Sequence, residues 1–241
     1  MKVYLNKIEG IPDALTTMYF SKRTWTREKE DHIRALCAAV LDERGGVRRD
    51  APADLLEEYN KLFAMLLKFG KHHITMLRYI DFSFTVEGMH RAGQDDWDAH
   101  AKRYENRIIR SSTRLATYGE NEMSEWYQDK IIPTDAALKI LGIEIPDQIE
   151  KDGVTYLRSV NGYVREDWSE DKDAKRGLYM LSIPSNFIYK CNLTEFSHVY
   201  KERGAHGTAN PEVKICAEIS VDKIQELQPQ ITRELLMAIK N

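Results

Sequence analysis

Residues 70–88 read GKHHITMLRYIDFSFTVEG, and the second half of this stretch decides what kind of fold to expect. Apolar and polar residues alternate over residues 80–86, which is the pattern of a strand buried on one face. Residues 53–69, directly before it, carry apolar side chains at helical spacing and stop at Gly70. A strand that follows a helix this closely predicts a fold in which helices and strands are interleaved.

Further elements are predicted on both sides of this stretch. Strands are expected at residues 1–7 and 212–219, and helices at residues 27–41, 95–114, 192–203 and 227–240. A polar loop is expected at residues 117–128, and a charged, partly extended excursion at residues 152–173. Because no linker-like segment separates these elements, the sequence predicts one α/β (α+β) domain over residues 1–241.

The overall charge of the chain is nearly balanced. Among its 241 residues, 35 Lys and Arg stand against 38 Asp and Glu, a formal net charge of −3. This balance argues against a general nucleic-acid or membrane binder, both of which need excess cations, but it leaves room for a local basic site. Three cysteines without a CxxC pair, and no apolar run of signal or membrane-span length, predict a cytoplasmic protein.

The most informative local pattern is HAKRYENRIIRSSTR at residues 100–114. On the predicted helix, one face would carry His100, Arg103, Arg107, Arg110 and Arg114. Such a face is explained by a bound anion, since guanidinium groups suit bidentate phosphate contacts. Ser111, Ser112 and Thr113 would add hydroxyl and N–H donors at the helix end. The pattern alone leaves open a solvated face that is paired with nearby carboxylates.

Several other kinds of site are disfavoured by the sequence. His72 and His73 are adjacent but have no third ligand at metal-site spacing, so no metal is expected. Neither GxGxxG nor GxxxxGK[ST] is present, which disfavours a Rossmann or P-loop nucleotide site. No nucleophile and base stand in a recognisable arrangement.

Residues 176–203, RGLYMLSIPSNFIYKCNLTEFSHVYKER, resemble the C-terminal core of the flavin-dependent thymidylate synthases without a gap. Shorter likenesses lie at residues 15–21 (LTTMYFS), in the stretch 70–88, and at residues 112–114, which match the end of the family signature. The RHR triplet of that signature is absent, and Tyr179-Met180 replaces the usual Leu-Pro. Within the family, the likeness is to a diverged group, the UMP C5-methylases of polyoxin-type nucleoside antibiotic pathways.

This resemblance implies a mixed sheet flanked by long helices and a methylation at C5 of a uracil nucleotide, UMP and/or dUMP. The carbon would come from methylenetetrahydrofolate and the hydride from reduced FAD, with NADPH as a cosubstrate. The implied catalytic residue is Arg203. Nucleotide contacts are implied for His100, Arg110, Ser111, Ser112, Thr113, Arg114, Arg176 and Arg203, and FAD contacts for His73, Thr75, Arg103, Asn192 and His198. The family further implies a homotetramer with shared active sites, and neither a nucleic acid nor a membrane as partner.

Three alternatives remain at this stage. The chain could be a housekeeping thymidylate synthase that acts on dUMP only, or a non-catalytic nucleotide- or RNA-binding protein on the same scaffold. The third alternative is an unrelated phosphoryl-transfer enzyme. It is disfavoured because such an enzyme needs a magnesium-holding motif and this sequence contains none. For Arg203 itself, a cation that offsets the dipole at a helix C-terminus is the competing interpretation.

Overall fold

The computed structural model describes residues 1–99, 106–113 and 122–240. The strands are β1 (Lys2–Glu9), β2 (Asp81–His90), β3 (Asn106–Arg110), β4 (Gln148–Lys151), β5 (Val154–Ser159), β6 (Gly162–Arg165) and β7 (Pro184–Asn192). The helices are α1 (Ile11–Ser21), α2 (Arg27–Val40), α3 (Ala53–Gly70), α4 (Arg91–Ala99), α5 (Thr134–Ile140), α6 (Lys172–Arg176), α7 (Leu193–Val199), α8 (Pro211–Leu227) and α9 (Arg233–Ala238). A 3₁₀ turn spans Ile74–Tyr79, and a π turn spans Tyr200–Ala205.

Two sheets organise the described strands. One has four strands in the order β1-β2-β7-β3, and the other has three in the order β4-β5-β6. The predicted α+β class is therefore confirmed, as are the elements predicted at residues 1–7, 27–41, 53–69 and 80–86. No helix in the described ranges has the length and apolar character that crossing a membrane requires.

The contacts within the chain fall into two compact units, and the prediction of a single domain stays a prediction. The helical unit contains residues 2–86, 96–109 and 188–240. Its core includes the rings of Phe82, Phe84 and Phe196, with Phe196 5.6 Å from each of the other two centroids. The buried Tyr59 hydroxyl donates to Gln228 Oε1 at 2.9 Å, which fixes α3 against the segment after α8.

The hairpin unit contains Met1 and residues 87–95 and 110–187. Strands β5 and β6 of its antiparallel sheet lie in the segment 152–173 that was predicted to be partly extended, and β4 precedes that segment. Asp152 (φ 54°) and Gly153 (φ 74°) join β4 to β5, and a two-residue hairpin turn of this kind needs positive φ at both positions. The loop predicted at residues 117–128 is confirmed for residues 122–128, which contain neither helix nor strand.

The strand predicted at residues 212–219 is wrong, because these residues belong to helix α8. The Asn210 side chain accepts from the Glu212 N–H at 3.0 Å, and Pro211 occupies the first turn. The prediction rested on the apolar residues at 213, 215 and 217, which alternate with polar ones as in a strand. Over a longer window, burial follows the helical period, at Val213, Cys216, Ala217, Ser220, Val221 and Ile224.

The helix predicted at residues 95–114 is also wrong over its second half. Helix α4 covers Arg91–Ala99, and Asn106–Arg110 form strand β3. Two consecutive β-branched residues, Ile108 and Ile109, favour the extended conformation, and Ile109 is 74% exposed while Ile108 is half-buried. Arg107 and Arg110 are three positions apart, so they project from opposite faces of the strand rather than from one face of a helix.

The two C-terminal helices differ from expectation at their ends. The helix at residues 192–203 exists as α7 plus the π turn, and Gly204 lies inside that turn. A Cβ at Gly204 would lie 2.5 Å from the Tyr200 ring and 3.2 Å from Ala217 Cβ, so close packing requires glycine. The helix predicted at residues 227–240 is limited to α9, which Thr232 caps by accepting from the Leu235 N–H at 3.2 Å.

Candidate active site

A small pocket of about 160 Å³ in the hairpin unit brings two guanidinium groups together. Its lining comprises Arg91, Asp95, Thr113, Arg176, Tyr179, Met180, Leu181 and Ile183. The start of α4 is held there because the Arg91 N–H donates to the Ile183 carbonyl and the Ala92 N–H to the Leu181 carbonyl, both at 3.1 Å. The pocket is below the roughly 300 Å³ at which drug-sized ligand pockets begin, so its size suits one small group such as a phosphate.

Of the two pocket arginines, sequence reasoning found Arg176 and missed Arg91. Arg176 is about half exposed and has one loose ion pair, 3.6 Å from Asp173. Arg91 is the first residue of α4, directly after the strongly patterned strand β2. Since the helix was expected to start at residue 95, Arg91 fell outside it. The signal that could have found Arg91 is its position at a strand-to-helix junction, where functional side chains are common.

Arg110 lies in the same unit, but its charge is already balanced. Its guanidinium forms an ion pair with Asp95 and also donates to the Gln94 carbonyl at 3.4 Å. Arg110 is only 19% exposed, and Asp95 itself lines the pocket. Asp95 therefore reduces the positive charge that Arg110 can offer to an anion.

The three hydroxyl residues after β3 have different environments. The Ser111 N–H and hydroxyl both donate to the Asn186 carbonyl, at 2.8 and 3.0 Å. Ser112 is exposed, and Thr113 is buried and lines the pocket. They follow a strand rather than a helix, so the expected helix-end arrangement is wrong, and of the three Thr113 is the one in the pocket lining.

Buried polar side chains in the hairpin unit form a group that sequence reasoning did not single out. The group includes His90, Gln94, Ser124, Ser182 and Ser185, all less than 9% exposed. Within the described residues, Gln94 Oε1 and the three serine hydroxyls have no hydrogen-bond partner. Gln94 and Ser182 are sequence neighbours of residues that line the pocket. Buried polar atoms without protein partners are rare, and a polar ligand is one way to satisfy them.

The predicted catalytic residue, Arg203, lies in the π turn of the helical unit. Its side chain is 11% exposed and contacts Asp96 twice: Nη2 is 2.9 Å from Oδ1, and Nε donates to the carbonyl at 3.2 Å. The π geometry is a frequent feature of functional sites and re-aims the side chains that follow it. Arg203 is thus a positioned guanidinium whose charge is offset by one carboxylate.

The predicted flavin contacts that the structure describes all lie in the helical unit. The Asn192 carboxamide oxygen caps α7, accepting from the Glu195 N–H at 2.9 Å and from the Thr194 hydroxyl at 2.6 Å. Asn192 is therefore the N-cap of α7. His198 is half-buried on the same helix.

His73 and Thr75 are exposed and lie at the Ile74–Tyr79 turn, against which α7 packs. The Leu193 N–H donates to the Ile80 carbonyl at 2.8 Å, which ties the start of α7 to the end of that turn. These two segments, distant in sequence, are therefore neighbours in the fold. His100, Arg103 and Arg114 lie outside the described residues.

The cysteines are poor candidates for a nucleophile. All three are buried, and burial raises the pKa of Cys37 from 9.0 to about 12 and those of Cys191 and Cys216 well above the usual value. A thiol with so high a pKa is not a thiolate at neutral pH. Within the described residues, no group of three His, Cys, Asp or Glu side chains could hold a metal ion.

Comparisons with known proteins identify the fold. No family model matches the chain, and no curated protein matches it. Among solved structures, the chain has the fold of the flavin-dependent thymidylate synthases. It is similar to thymidylate synthase X from Helicobacter pylori with FAD and dUMP, with a TM-score of 0.57 and 10% identity over 98% of this chain and 100% of that chain. A second structure of that enzyme with FAD and dUMP gives a TM-score of 0.55 and 10% identity over the full length of both chains.

Proposed function

We propose that this protein is a flavin-dependent enzyme that methylates C5 of a uracil nucleotide. The methylene carbon would come from methylenetetrahydrofolate, and NADPH would reduce the flavin. The observation that carries the proposal is the pocket lined by Arg91 and Arg176, in a chain with the fold of an enzyme that binds dUMP. The resemblance of residues 176–203 to the family core supports it independently of the fold.

The pocket would bind the nucleotide phosphate. Two guanidinium groups and the buried Thr113 hydroxyl supply the donors that a phosphate dianion needs, and charge-assisted hydrogen bonds of this kind are short and strong. Ser112 and Arg110 are also proposed as phosphate contacts. Arg110 would contribute less positive charge, because Asp95 already pairs with it. Because the pocket is small, the sugar and the base would extend out of it.

Arg203 would stabilise the negative charge that develops on the uracil ring while C5 acts as a nucleophile. A guanidinium whose direction is fixed before the reaction can lower the energy of such an anion without reorganising. Asp96 provides that fixation, since it holds two nitrogens of Arg203. This role needs no enzyme thiol, in agreement with the raised pKa values of the cysteines.

The residues near α7 suit a flavin nucleotide by their chemistry. Imidazole groups of His73 and His198, the Thr75 hydroxyl and the Asn192 carboxamide can hydrogen-bond to pyrophosphate oxygens and to ring edges. They belong to two segments that pack together, and three of the four side chains are accessible. FAD, when bound, would supply the hydride that completes the methyl group. The four residues would bind it and orient it.

The finer parts of the proposal follow the sequence resemblance. We infer that UMP is accepted as well as dUMP, that the reaction belongs to nucleoside antibiotic biosynthesis, and that the protein is a cytoplasmic, single-domain homotetramer with shared active sites. His100, Arg103 and Arg114 are retained as proposed ligands. A product assay with UMP and dUMP side by side tests whether UMP is accepted, and methylation of dUMP alone would overturn that inference.

The central experiment combines flavin binding with product analysis. The purified chain is incubated with FAD, separated from free flavin by gel filtration, and scanned for flavin absorbance. It is then given methylenetetrahydrofolate, NADPH and either nucleotide, and the product mass is measured. Retained flavin and a methylated nucleotide support the proposal. A protein that retains no flavin and yields no methylated product overturns it.

A second function has one specific observation in its favour. Asp96 neutralises Arg203, which suits a residue with a structural role in a non-catalytic nucleotide-binding protein. Such a protein would bind dUMP or UMP through the hairpin-unit pocket without turnover. This alternative would be supported if calorimetry shows nucleotide binding but no methylated product forms in the presence of bound flavin and folate.

A further inference from the structure

A second cationic region lies on the helical unit, in residues that the proposed reaction does not use. Residues 19–25 (YFSKRTW) and 68–71 (KFGK) contain four Lys or Arg and no Asp or Glu, in a chain whose net charge is −3. Six of these residues define what we call the basic aromatic surface: Phe20, Lys22, Trp25, Lys68, Phe69 and Lys71.

Direct contacts join the two segments into one surface. Lys22 Nζ lies 4.2 Å above the Phe69 ring and 3.6 Å from Met65 Sδ, so the end of α1 meets the last turns of α3. Lys68 lies three positions after Met65 and shares its helix face. The rings of Phe20 and Trp25 stack at 4.7 Å with an interplanar angle of 18°. The surface therefore offers two ring platforms. One is the Phe20–Trp25 pair, and the other is Phe69, which lies under Lys22 and stacks on His73, a proposed flavin contact, at 6.5 Å.

The surface is accessible and its charge is not cancelled locally. Phe20, Trp25 and Phe69 are 55%, 37% and 38% exposed, although large aromatic side chains are usually buried. Within the described ranges, no carboxylate is within ion-pair distance of Lys22, Lys68 or Lys71. The nearest acid on the Trp25 side is Glu30, which accepts from the indole N–H at 3.1 Å.

Glu30 lies at the Trp25 edge of the surface and shares its cations with other acids. The Arg34 guanidinium holds the Glu30 carboxylate at 3.0 and 3.1 Å but also pairs with Asp13, and Arg27 lies 3.7 Å from Glu30 and 3.5 Å from Asp31. Hydrogen bonds from Arg34 and Trp25 lower the pKa of Glu30. The bond from the indole N–H fixes the direction of the Trp25 ring.

We propose that the basic aromatic surface binds single-stranded nucleic acid, with bases stacked on its aromatic rings and phosphates contacted by its lysines. Aromatic rings interleaved with cations are the usual platform for unpaired bases, because every base offers a flat face to stack on. A duplex hides those faces. Lysines beside exposed Phe and Trp also suit an anionic membrane. Here, however, Phe20 and Trp25 stack on each other and the Trp25 indole is fixed by Glu30, an arrangement that suits a planar base better than acyl chains. The proposal does not depend on the proposed methylation.

Binding is tested by fluorescence anisotropy with the full chain and labelled oligo-dT and oligo-U of about 12 nucleotides, a length within the usual site size of single-strand binders. Each lysine that contacts a phosphate contributes about 0.7 to the slope of log affinity against log salt concentration for single strands. The triple variant K22Q/K68Q/K71Q is therefore expected to lower that slope by about 2. Phe20→Ala and Phe69→Ala are each expected to weaken binding about fivefold or more.

Matched controls use exposed residues outside the surface. Lys214→Gln removes an exposed lysine from α8, and Trp168→Leu removes an aromatic ring that is 53% exposed. Both are expected to bind like the parent chain, and circular dichroism verifies the fold of every variant. The proposal is overturned if the parent does not bind the oligonucleotides, or if the triple variant behaves like Lys214→Gln. It is also overturned if duplex DNA of the same length or phosphatidylserine vesicles bind as tightly as the single strand.

Discussion

The two units present their arginines in opposite electrostatic settings. In the hairpin unit, Arg91 and Arg176 line one pocket. Asp95 lines the same pocket, but its close ion pair is with Arg110. In the helical unit, Arg203 is held by two contacts to Asp96. A phosphate keeps its charge throughout a reaction and needs net positive charge at all times. A uracil ring becomes anionic only during the reaction, so a partly neutralised and rigid guanidinium suits it better.

This difference predicts that loss of Arg203 affects turnover rather than binding. Arg203→Ala is expected to lower kcat by about 10²- to 10³-fold, as with other electrostatic donors, and to leave nucleotide affinity within about tenfold. Steady-state kinetics and calorimetry separate the two quantities. Arg107→Ala, which removes an exposed arginine from β3 in the same unit, is the control and should change neither. A raised KM with unchanged kcat would mean that Arg203 contributes to nucleotide binding, and the proposed difference between Arg203 and the pocket arginines would be wrong.

The opposite result is expected for the pocket arginines. Arg91→Gln and Arg176→Gln should each weaken nucleotide binding on the order of 10- to 100-fold, because each removes a charge-assisted hydrogen bond from a dianion. Isothermal titration with dUMP measures this loss. Arg165→Gln is the control in the same unit, since that arginine is exposed and paired with Asp167. Unchanged affinity in both pocket variants would contradict the assignment of the phosphate to the hairpin unit.

A matched pair of glycines compares the packing of the two units. A Cβ at Gly93 would lie 2.6 Å from the His90 ring, and one at Gly204 would lie 2.5 Å from the Tyr200 ring. Gly93→Ala and Gly204→Ala should each lower the free energy of unfolding by about 1–3 kcal/mol, the usual cost of overpacking. Gly207→Ala, where nothing lies within 4 Å, is the control. Urea denaturation of the three variants measures the difference, and equal midpoints would show that both sites relax.

The sequence predicted the first 90 residues better than the rest of the chain. Period and capping residues located β1, α2, α3 and β2 because burial on one face leaves a direct trace in the residue pattern. Strand β7 had no such prediction. Strand β3 lies where two isoleucines interrupt a polar, arginine-rich segment that matches helical spacing. The helical spacing of the arginines was overridden there by the β propensity of the two isoleucines and by sheet pairing, and residue patterns do not encode the pairing.

The candidate site was predictable in part for the same reason. Arg176 and Arg203 were found through the likeness of residues 176–203 to a family core, not through spacing. Arg91 and Gln94 were missed, because the placement of α4 depends on its backbone hydrogen bonds to residues 181–183, which are far away in the sequence. The arginine pattern at residues 100–114 assumed the wrong geometry, and its role in anion binding stays a prediction. Of its members, Arg110 and Thr113 are in the hairpin unit, and Arg107 is in the helical unit.

The last prediction concerns the thiols, all of which belong to the helical unit. The pKa of Cys37 is raised from 9.0 to about 12 by burial, so above pH 9 the unfolded chain loses a proton that the folded chain keeps. Stability must therefore fall as pH rises, by about 1.4 kcal/mol per pH unit for this thiol between pH 9 and pH 12. Other groups titrate in the same range with the same sign, including Lys190, whose pKa Glu9 raises.

The contribution of Cys37 is isolated by comparing Cys37→Ala with the parent in urea unfolding at several pH values: the variant should show a slope that is shallower by about 1.4 kcal/mol per pH unit. Parallel pH profiles would mean that Cys37 already ionises in the folded chain, and that the helical unit around α2 is more open to water than its packing indicates.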